Sequence, residues 1–247
     1  MTSTYVAFSG GIDSTTTALL FPDAIPVFTD TGWEFDELYA HIEKFERVTG
    51  RHVEHIQRDE SLPEYIRRSK FLPNHGARFC TRMFKIEPMN AWIADKLPAT
   101  LYIGLRADEP AEMRVGNLSL IDGLTIEYPL RQMGYDRTAC IRKCIEFNLL
   151  PRYPVYMARG GCKGCFYKRR AEVKAMAQLV PGVLDELRHL EENVQDERGK
   201  YFVMFPNANM SISDIQAQET LFDLTELYQA AAEDGDYGVA CGLFCHR

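Results

Sequence analysis

The stretch Tyr5-Val6-Ala7-Phe8-Ser9-Gly10-Gly11-Ile12-Asp13-Ser14-Thr15 decides the fold. Its apolar first half reads as a buried strand and its paired glycines as a turn. The small residues and leucines that follow read as the start of a helix. Strand, glycine turn and helix N-terminus together make an anion site. Backbone N–H groups point into the turn, and the helix dipole adds partial positive charge. Gly10 and Gly11 allow positive φ and close approach of the backbone to a phosphate. Ser9, Ser14 and Thr15 add hydroxyl donors, and Asp13 is a candidate ligand for Mg²⁺ beside the phosphates. No Gly-Lys-Ser/Thr follows, which excludes the Walker loop. An ordinary glycine turn is the bland alternative, and these residue identities on a first strand argue against it.

Working outward, Ile25–Phe28 reads as a second strand that ends in the turn formers Thr29-Asp30-Thr31-Gly32. Glu34 to Val48 has helical spacing, with Phe35, Leu38, His41, Ile42, Phe45 and Val48 near one face and Gly50 as its stop. Val53–Ile56, Leu101–Gly104 and Leu124–Tyr128 read as further strands. Helices are expected over Ser61–Ser69, Lys85–Lys96, Arg137–Phe147, Ala171–Leu179 and Val183–Asn193, with a long one over Ser211–Glu233. Strands alternating with helices imply an α/β fold: a doubly wound parallel sheet with helices on both faces. Ligands of such sheets sit beyond the C-terminal strand ends, where strand order reverses, and the Ser9–Ser14 loop is expected there. The simplest division is an α/β nucleotide-binding domain over 1–135 and a mainly helical, cysteine-containing region over 136–247.

The 247 residues are 46% hydrophobic and 26% charged, an ordinary globular profile with length enough for a core. The net charge of -7 excludes a polyanion binder as a whole molecule. Arg67, Arg68 and Lys70, and Lys168, Arg169 and Arg170, form local basic clusters that read equally as solvated faces. Met1-Thr2-Ser3-Thr4 leads straight into the first strand, and no apolar run is long enough to span a bilayer. A cytoplasmic protein without a membrane partner is therefore expected. Its seven cysteines are then expected to be reduced, metal-bound or catalytic.

Ser9-Gly10-Gly11-Ile12-Asp13-Ser14 resembles the Ser-Gly-Gly-x-Asp-Ser signature of the PP-loop ATP pyrophosphatases. That family cleaves ATP to AMP and pyrophosphate, commonly to adenylate a substrate. Four more segments, in matching order, resemble the phosphoadenylylsulfate (PAPS) reductase superfamily. They are Thr29-Asp30-Thr31-Gly32-Trp33-Glu34, Cys80 to Asn90 with its Lys85-Ile86-Glu87-Pro88-Met89-Asn90, Gly104 to Glu109 followed by Arg114, and Gly161-Cys162-Lys163-Gly164-Cys165. The last resembles the Gly-Cys-x-x-Cys of the iron–sulfur branch. The resemblance implies an adenine-nucleotide alpha-hydrolase-like (HUP) fold with a helical C-terminal extension. It implies ATP and Mg²⁺ held by Ser9, Gly10, Gly11, Asp13, Ser14, Thr15, Asp30 and Arg114, with Asp13, Lys85, Arg106 and Cys241 as catalytic groups. Lys85, Arg106 and Arg114 suit triphosphate oxygens or an oxyanion on a second substrate. The bland reading makes them surface charges, with Glu87 and Glu109 as their pairing partners. Assimilatory PAPS reductases carry a degenerate loop lacking Gly-Gly-x-Asp. The intact loop here resembles that of the sulfur-inserting members, the DNA phosphorothioation sulfurtransferase and the iron–sulfur tRNA thiolases.

Cys162-x-x-Cys165 has metal-type spacing. Cys80 falls where the iron–sulfur reductases place a cysteine pair, so the resemblance implies three thiolates, which suit a [4Fe–4S] cluster with one open iron. Zinc and plain thiols are the alternatives, and Cys140, Cys144, Cys241 or Cys245 could complete the set. Cys140 and Cys144, four apart on one helix face, read as buried small apolar residues. Cys241-Gly242-Leu243 resembles the Glu-Cys-Gly-Leu-His tail of PAPS reductases, with Ala240 in place of the Glu. The resulting expectation is an ATP-dependent sulfurtransferase, supplied by sulfide or a cysteine desulfurase. Its acceptor would be a nucleic acid or a small metabolite. Reduction of an adenylylated sulfate, or a non-catalytic adenylate-binding subunit, are the rivals.

Overall fold

Residues 3–110, 121–158, 160–194, 203–208 and 211–217 are described by the computed structural model. Among them, five strands form one parallel sheet: β1 (Ser3–Ala7), β2 (Ile25–Asp30), β3 (Glu54–Gln57), β4 (Ala99–Tyr102) and β5 (Leu124–Glu127). Their order is β3-β2-β1-β4-β5. The chain therefore winds outward from β1 through β2 to β3, then returns to β1's other side with β4 and β5. The reversal lies between β1 and β4, which are in register at Ser3 and Ala99, and at Tyr5 and Leu101. β1 is thus central, and its C-terminal end opens at the switch point.

Alternation along the strands divides the core. Val6, Phe8 and Phe28 join one apolar cluster, while their neighbours Tyr5 and Val27 join another with Ala99 and Leu101. The first cluster takes Ala18 and Leu19 of α1 (Ile12–Leu20) and Leu38, Ile42 and Phe45 of α2 (Asp36–Thr49). The second takes Met89 and Ile93 of α5 (Glu87–Ala94). Helices therefore cover both faces, as the alternation of elements predicts. Between β3 and α5 lie α3 (Leu62–Ser69) and a short α4 (Phe79–Thr81), which runs into a π-helical turn over Arg82–Ile86. The expected helix over Lys85–Lys96 thus begins earlier, at Phe79, and ends at Ala94. Pro88 comes just after the π-helical turn, at the point where the helical hydrogen-bond pattern changes.

After β5 come α6 (Pro129–Gln132) and α7 (Arg137–Glu146), the latter capped by Asp136 Oδ1 on the Ala139 N–H at 2.7 Å. A single 3₁₀ turn over Val155–Met157 precedes α8 (Arg170–Leu179), α9 (Pro181–Val194) and α10 (Ile212–Ala217). Buried Glu191 on α9 accepts the backbone N–H groups of Met204, at 2.7 Å, and Ile212, at 3.1 Å. A carboxylate placed this way ties the later segments to α9 and satisfies amides that no helix bond reaches. Of the expected Ser211–Glu233 helix, residues 218–233 lie outside the described part. No described helix is long and apolar enough to cross a membrane.

The C-terminal end of α1 is closed by Arg51. Its guanidinium donates to the carbonyls of Ala18 at 2.5 Å, Phe21 at 3.4 Å and Ala24, and it lies over the Phe45 ring at 5.6 Å. One cation thus covers carbonyls at and beyond a helix end, where the dipole is negative. Arg51→Met keeps much of the apolar stem and removes these bonds. We expect it to cost about 2–3 kcal/mol in chemical denaturation. A loss below measurement error would refute the capping role.

Candidate functional site

The loop from Phe8 to Gly11 leaves β1 at the reversal of strand order and enters α1. Gly10 adopts φ +73°, and a Cβ built there would lie 2.4 Å from Leu38 Cδ1. Gly10 is therefore required on both backbone and steric grounds. The Ser14 hydroxyl holds the loop closed. It accepts the Ser9 N–H at 3.1 Å, shares a 3.1 Å bond with the Ser9 hydroxyl, and donates to the Gly11 carbonyl at 3.1 Å. Gly11 occupies the N-cap position and no side-chain hydrogen bond caps α1, the kind of helix start at which an anion can be held.

Behind the loop stand two residues that the sequence reading did not single out for function. The Tyr153 hydroxyl donates to the Gly10 carbonyl at 3.0 Å, and the ring meets His41 edge-on at 5.9 Å. His41 Nε2 lies 3.2 Å from the Thr15 hydroxyl. Thr15 is fully buried and facing His41, so it supports the loop from inside rather than presenting its hydroxyl outward. His41 was legible as part of the buried face of α2. Tyr153, in a loop 143 residues away, carries no local signal.

Asp13 and Arg106, expected to act separately on a nucleotide, meet each other. Arg106 Nη1 donates to Asp13 Oδ2 at 3.0 Å and Oδ1 at 3.2 Å. Its Nε donates to Asp108 at 3.0 Å, and Nη2 lies 3.7 Å from Glu109. The guanidinium is buried among three carboxylates. Glu109 as a pairing partner was the bland expectation, and it holds. Glu87, the other expected partner, pairs instead with Arg82 at 3.4 Å and Arg58 at 3.9 Å. Asp108 is held below the usual carboxylate range: burial acts to raise it, and the Arg106 hydrogen bond and charge outweigh that.

At the end of β2, both Asp30 oxygens accept from the Tyr39 hydroxyl, at 2.9 and 3.0 Å, and one also accepts the Gly32 N–H at 2.7 Å. Asp30 therefore shapes this turn. Lys85 is buried in the π-helical turn, which packs against β2. Cys162 and Cys165 form a buried turn closed by the Cys165 N–H on the Cys162 carbonyl at 3.2 Å. Cys80 packs at the margin of the same apolar cluster. Among the described residues, no three His, Cys, Asp or Glu side chains gather into a group that could hold a metal. The expected three-cysteine set is thus not assembled as a ligand cage in this conformation. Cys140 and Cys144 are buried, as expected, with Cys144 Sγ 3.3 Å from the Thr16 hydroxyl. Burial pushes their thiols up, to about 12 and about 11. Arg114, Cys241 and Cys245 lie outside the described residues.

Residues 3–121 match the family profile described as the phosphoadenosine phosphosulfate reductase domain. An uncharacterized protein of Methanocaldococcus jannaschii is 32% identical over 111 residues, which is 42% of this chain. The match spans only 23% of that protein's length. Among solved structures, the phosphoadenylyl-sulfate (PAPS) reductase of Candida auris, crystallised as a phosphate complex, aligns with a TM-score of 0.45 and 16% identity. That alignment covers 61% of this chain and 75% of that one. The profile match takes in β1 to β4 and stops short of β5.

His41 supplies a pH test of the loop's support. Burial pushes its imidazole down to about 4, with Lys44 acting in the same direction. An unfolded histidine protonates near pH 6.5, so between that value and about 4 the unfolded chain binds the extra proton. The stability that neutral His41 contributes is full above about pH 6.5 and is lost as pH falls through that window. Unfolding curves across it should be less steep in pH for His41→Gln than for the parent. Equal slopes would remove His41 as the titrating group.

Proposed function

We propose that this chain is an adenylyl-handling enzyme of sulfur chemistry, binding the phosphates of an adenosine nucleotide on the Ser9–Ser14 turn. The observation that carries the reading is the glycine turn at the strand-order reversal, opening onto a helix N-terminus that no side chain caps. Amides and the paired serine hydroxyls would hold a phosphate there. The Arg106 cluster would keep Asp13 oriented at the same turn. An adenine-nucleotide alpha-hydrolase-like (HUP) fold over 1–135, with 136–247 as its helical extension, belongs to this proposal.

The match to the PAPS reductase domain favours an adenylylated sulfate as substrate. A thiolate attacks the sulfate sulfur, the S–O bond to phosphate breaks, and the adenosine phosphate leaves with the electron pair. A second thiol then releases sulfite as the two sulfurs join, a two-electron reduction. Cys241 is the thiol that the sequence resemblance offers for the attack.

A second reading rests on the intact Ser9-Gly10-Gly11-Ile12-Asp13-Ser14 turn. An acceptor oxygen attacks the α-phosphate of ATP, pyrophosphate leaves, and sulfide displaces AMP; where a persulfide displaces AMP instead, a second thiol then cleaves the S–S bond and leaves with the carrier as a disulfide. Mg²⁺ bound to the phosphates would spread the charge on the leaving pyrophosphate. Asp13 is the carboxylate at the turn that would share it, as the resemblance to the intact loop implies. A [4Fe–4S] cluster or zinc on Cys80, Cys162 and Cys165 is supported by the resemblance alone. Cytoplasmic location, a desulfurase or sulfide donor, and a nucleic-acid or metabolite acceptor have the same standing.

Purified chain incubated with adenylylated sulfates and a dithiol, and separately with ATP, separates the readings. Sulfite release supports the first and pyrophosphate release the second. Asp13→Ala should slow pyrophosphate release by about a hundredfold or more. Absence of nucleotide binding in the parent would overturn both readings. Preparation without oxygen tests the cluster: about four irons per chain, lost in Cys162→Ser, would support it. A colourless, iron-free protein would remove it.

A further inference from the structure

The cysteine turn is fastened to the nucleotide end of the sheet at one residue. Trp33 follows the turn that Asp30 shapes, and its indole is buried. Gly164, between the two cysteines, lies flat on that indole. A Cβ built on Gly164 would sit 2.0 Å from Trp33 Cη2, 2.4 Å from Cζ3 and 2.7 Å from Cζ2. No side chain fits there without displacing ring or turn. The Trp33 carbonyl accepts the Lys163 N–H at 2.9 Å, which fixes the turn's backbone as well. The indole Nε1–H donates to Glu186 Oε1 on α9 at 3.2 Å, and Glu186 also lies 3.9 Å from Lys163 Nζ. Ring, carbonyl and ring N–H thus converge on the Cys162–Cys165 turn and the helix behind it.

We propose that Trp33 is a positioning residue: its indole is the seat that holds the Cys162–Cys165 turn at the C-terminal end of β2, three residues from Asp30. Strength of attachment is not the main point, because Cys162 and Cys165 are buried in an apolar cluster in any case. What the indole adds is a fixed distance between two thiols and the edge of the candidate nucleotide site. The kinetic part of this proposal rests on the adenylyl reading above, while the geometric part does not.

The test uses the full chain and two variants, Trp33→Phe and Gly164→Ala. Alkylation by iodoacetamide is followed site by site by mass spectrometry. Cys140 and Cys144, fully buried on α7, serve as the internal reference for the global fold. Labelling of Cys162 and Cys165 should rise about tenfold in both variants with the reference pair unchanged, as expected for local opening. Nucleotide Kd should stay within about twofold while turnover falls about tenfold, because orientation rather than binding is lost. Unchanged labelling of Cys162 and Cys165 in both variants overturns the proposal. If Gly164→Ala also exposes the reference pair, Trp33→Phe decides by the same criterion. Exposure of the reference pair in Trp33→Phe too would assign the indole to global stability and overturn the positioning role. Faster labelling with unaltered turnover, in a parent that does turn nucleotide over, overturns its part in the reaction. If the parent handles no nucleotide, the adenylyl reading fails and labelling alone decides the positioning.

Discussion

One guanidinium buried among three carboxylates organises the nucleotide end of this molecule. Arg106 follows β4, Asp13 opens α1, and Asp108 and Glu109 continue Arg106's own turn. The pair with Asp13 spans the switch point, so the two strands that flank it are joined by charge as well as by backbone bonds. Loss of one carboxylate leaves Arg106 the other two, whereas loss of the guanidinium takes the same cation from all three carboxylates at once. The arrangement is therefore asymmetric: it depends on the cation more than on any one anion. It also holds Asp13 at a fixed place on the turn before any ligand arrives.

The loop's inner side obeys a second constraint, satisfaction of buried polar groups. Gly10's carbonyl, Thr15's hydroxyl and the His41 ring nitrogen are all removed from bulk water, and each finds a partner in Tyr153 or in one another. A neutral imidazole suits this setting, since a charged one would be desolvated beside an apolar core. The outer side is different. Helix amides with no side-chain cap are acceptable at a surface because water or an anion completes them.

Much of the architecture was legible from pattern. The run Tyr5–Thr15, the Ile25–Phe28 strand and the apolar spacing from Phe35 to Phe45 correspond to β1, α1, β2 and α2, because short parallel strands and amphipathic helices write their periods into the chain. The start of the Phe79–Ala94 helix was not. Phe79-Cys80-Thr81 lacks a capping signal, and the π-helical turn at Arg82–Ile86 breaks the 3.6 period that a window search needs. Within the site, residue types pointed to Ser9, Gly10, Asp13 and Arg106 but not to the Asp13–Arg106 contact, which spans 93 positions. By residue type, Thr15 and Asp30 read as ligand-facing groups. Burial against His41 and Tyr39 gives both a structural task, and burial is a property of the fold rather than of the motif. Trp33 belonged to a quoted segment, yet nothing local marks its ring as the floor under Gly164.

The Tyr153 hydroxyl on the Gly10 carbonyl also bears on the order of events during synthesis. The Ser9–Ser14 turn leaves the ribosome before the group that satisfies its carbonyl, which emerges 143 residues later. Cys140 and Cys144, which seat Thr16, are similarly late. Contacts of such separation form only after the intervening chain has closed a long loop. The nascent first strand and helix therefore wait, with the anion turn unsupported from behind, until the chain beyond α7 folds back. Nucleotide capture would then belong to the end of folding, when β1, α1 and the Tyr153 loop are all in place.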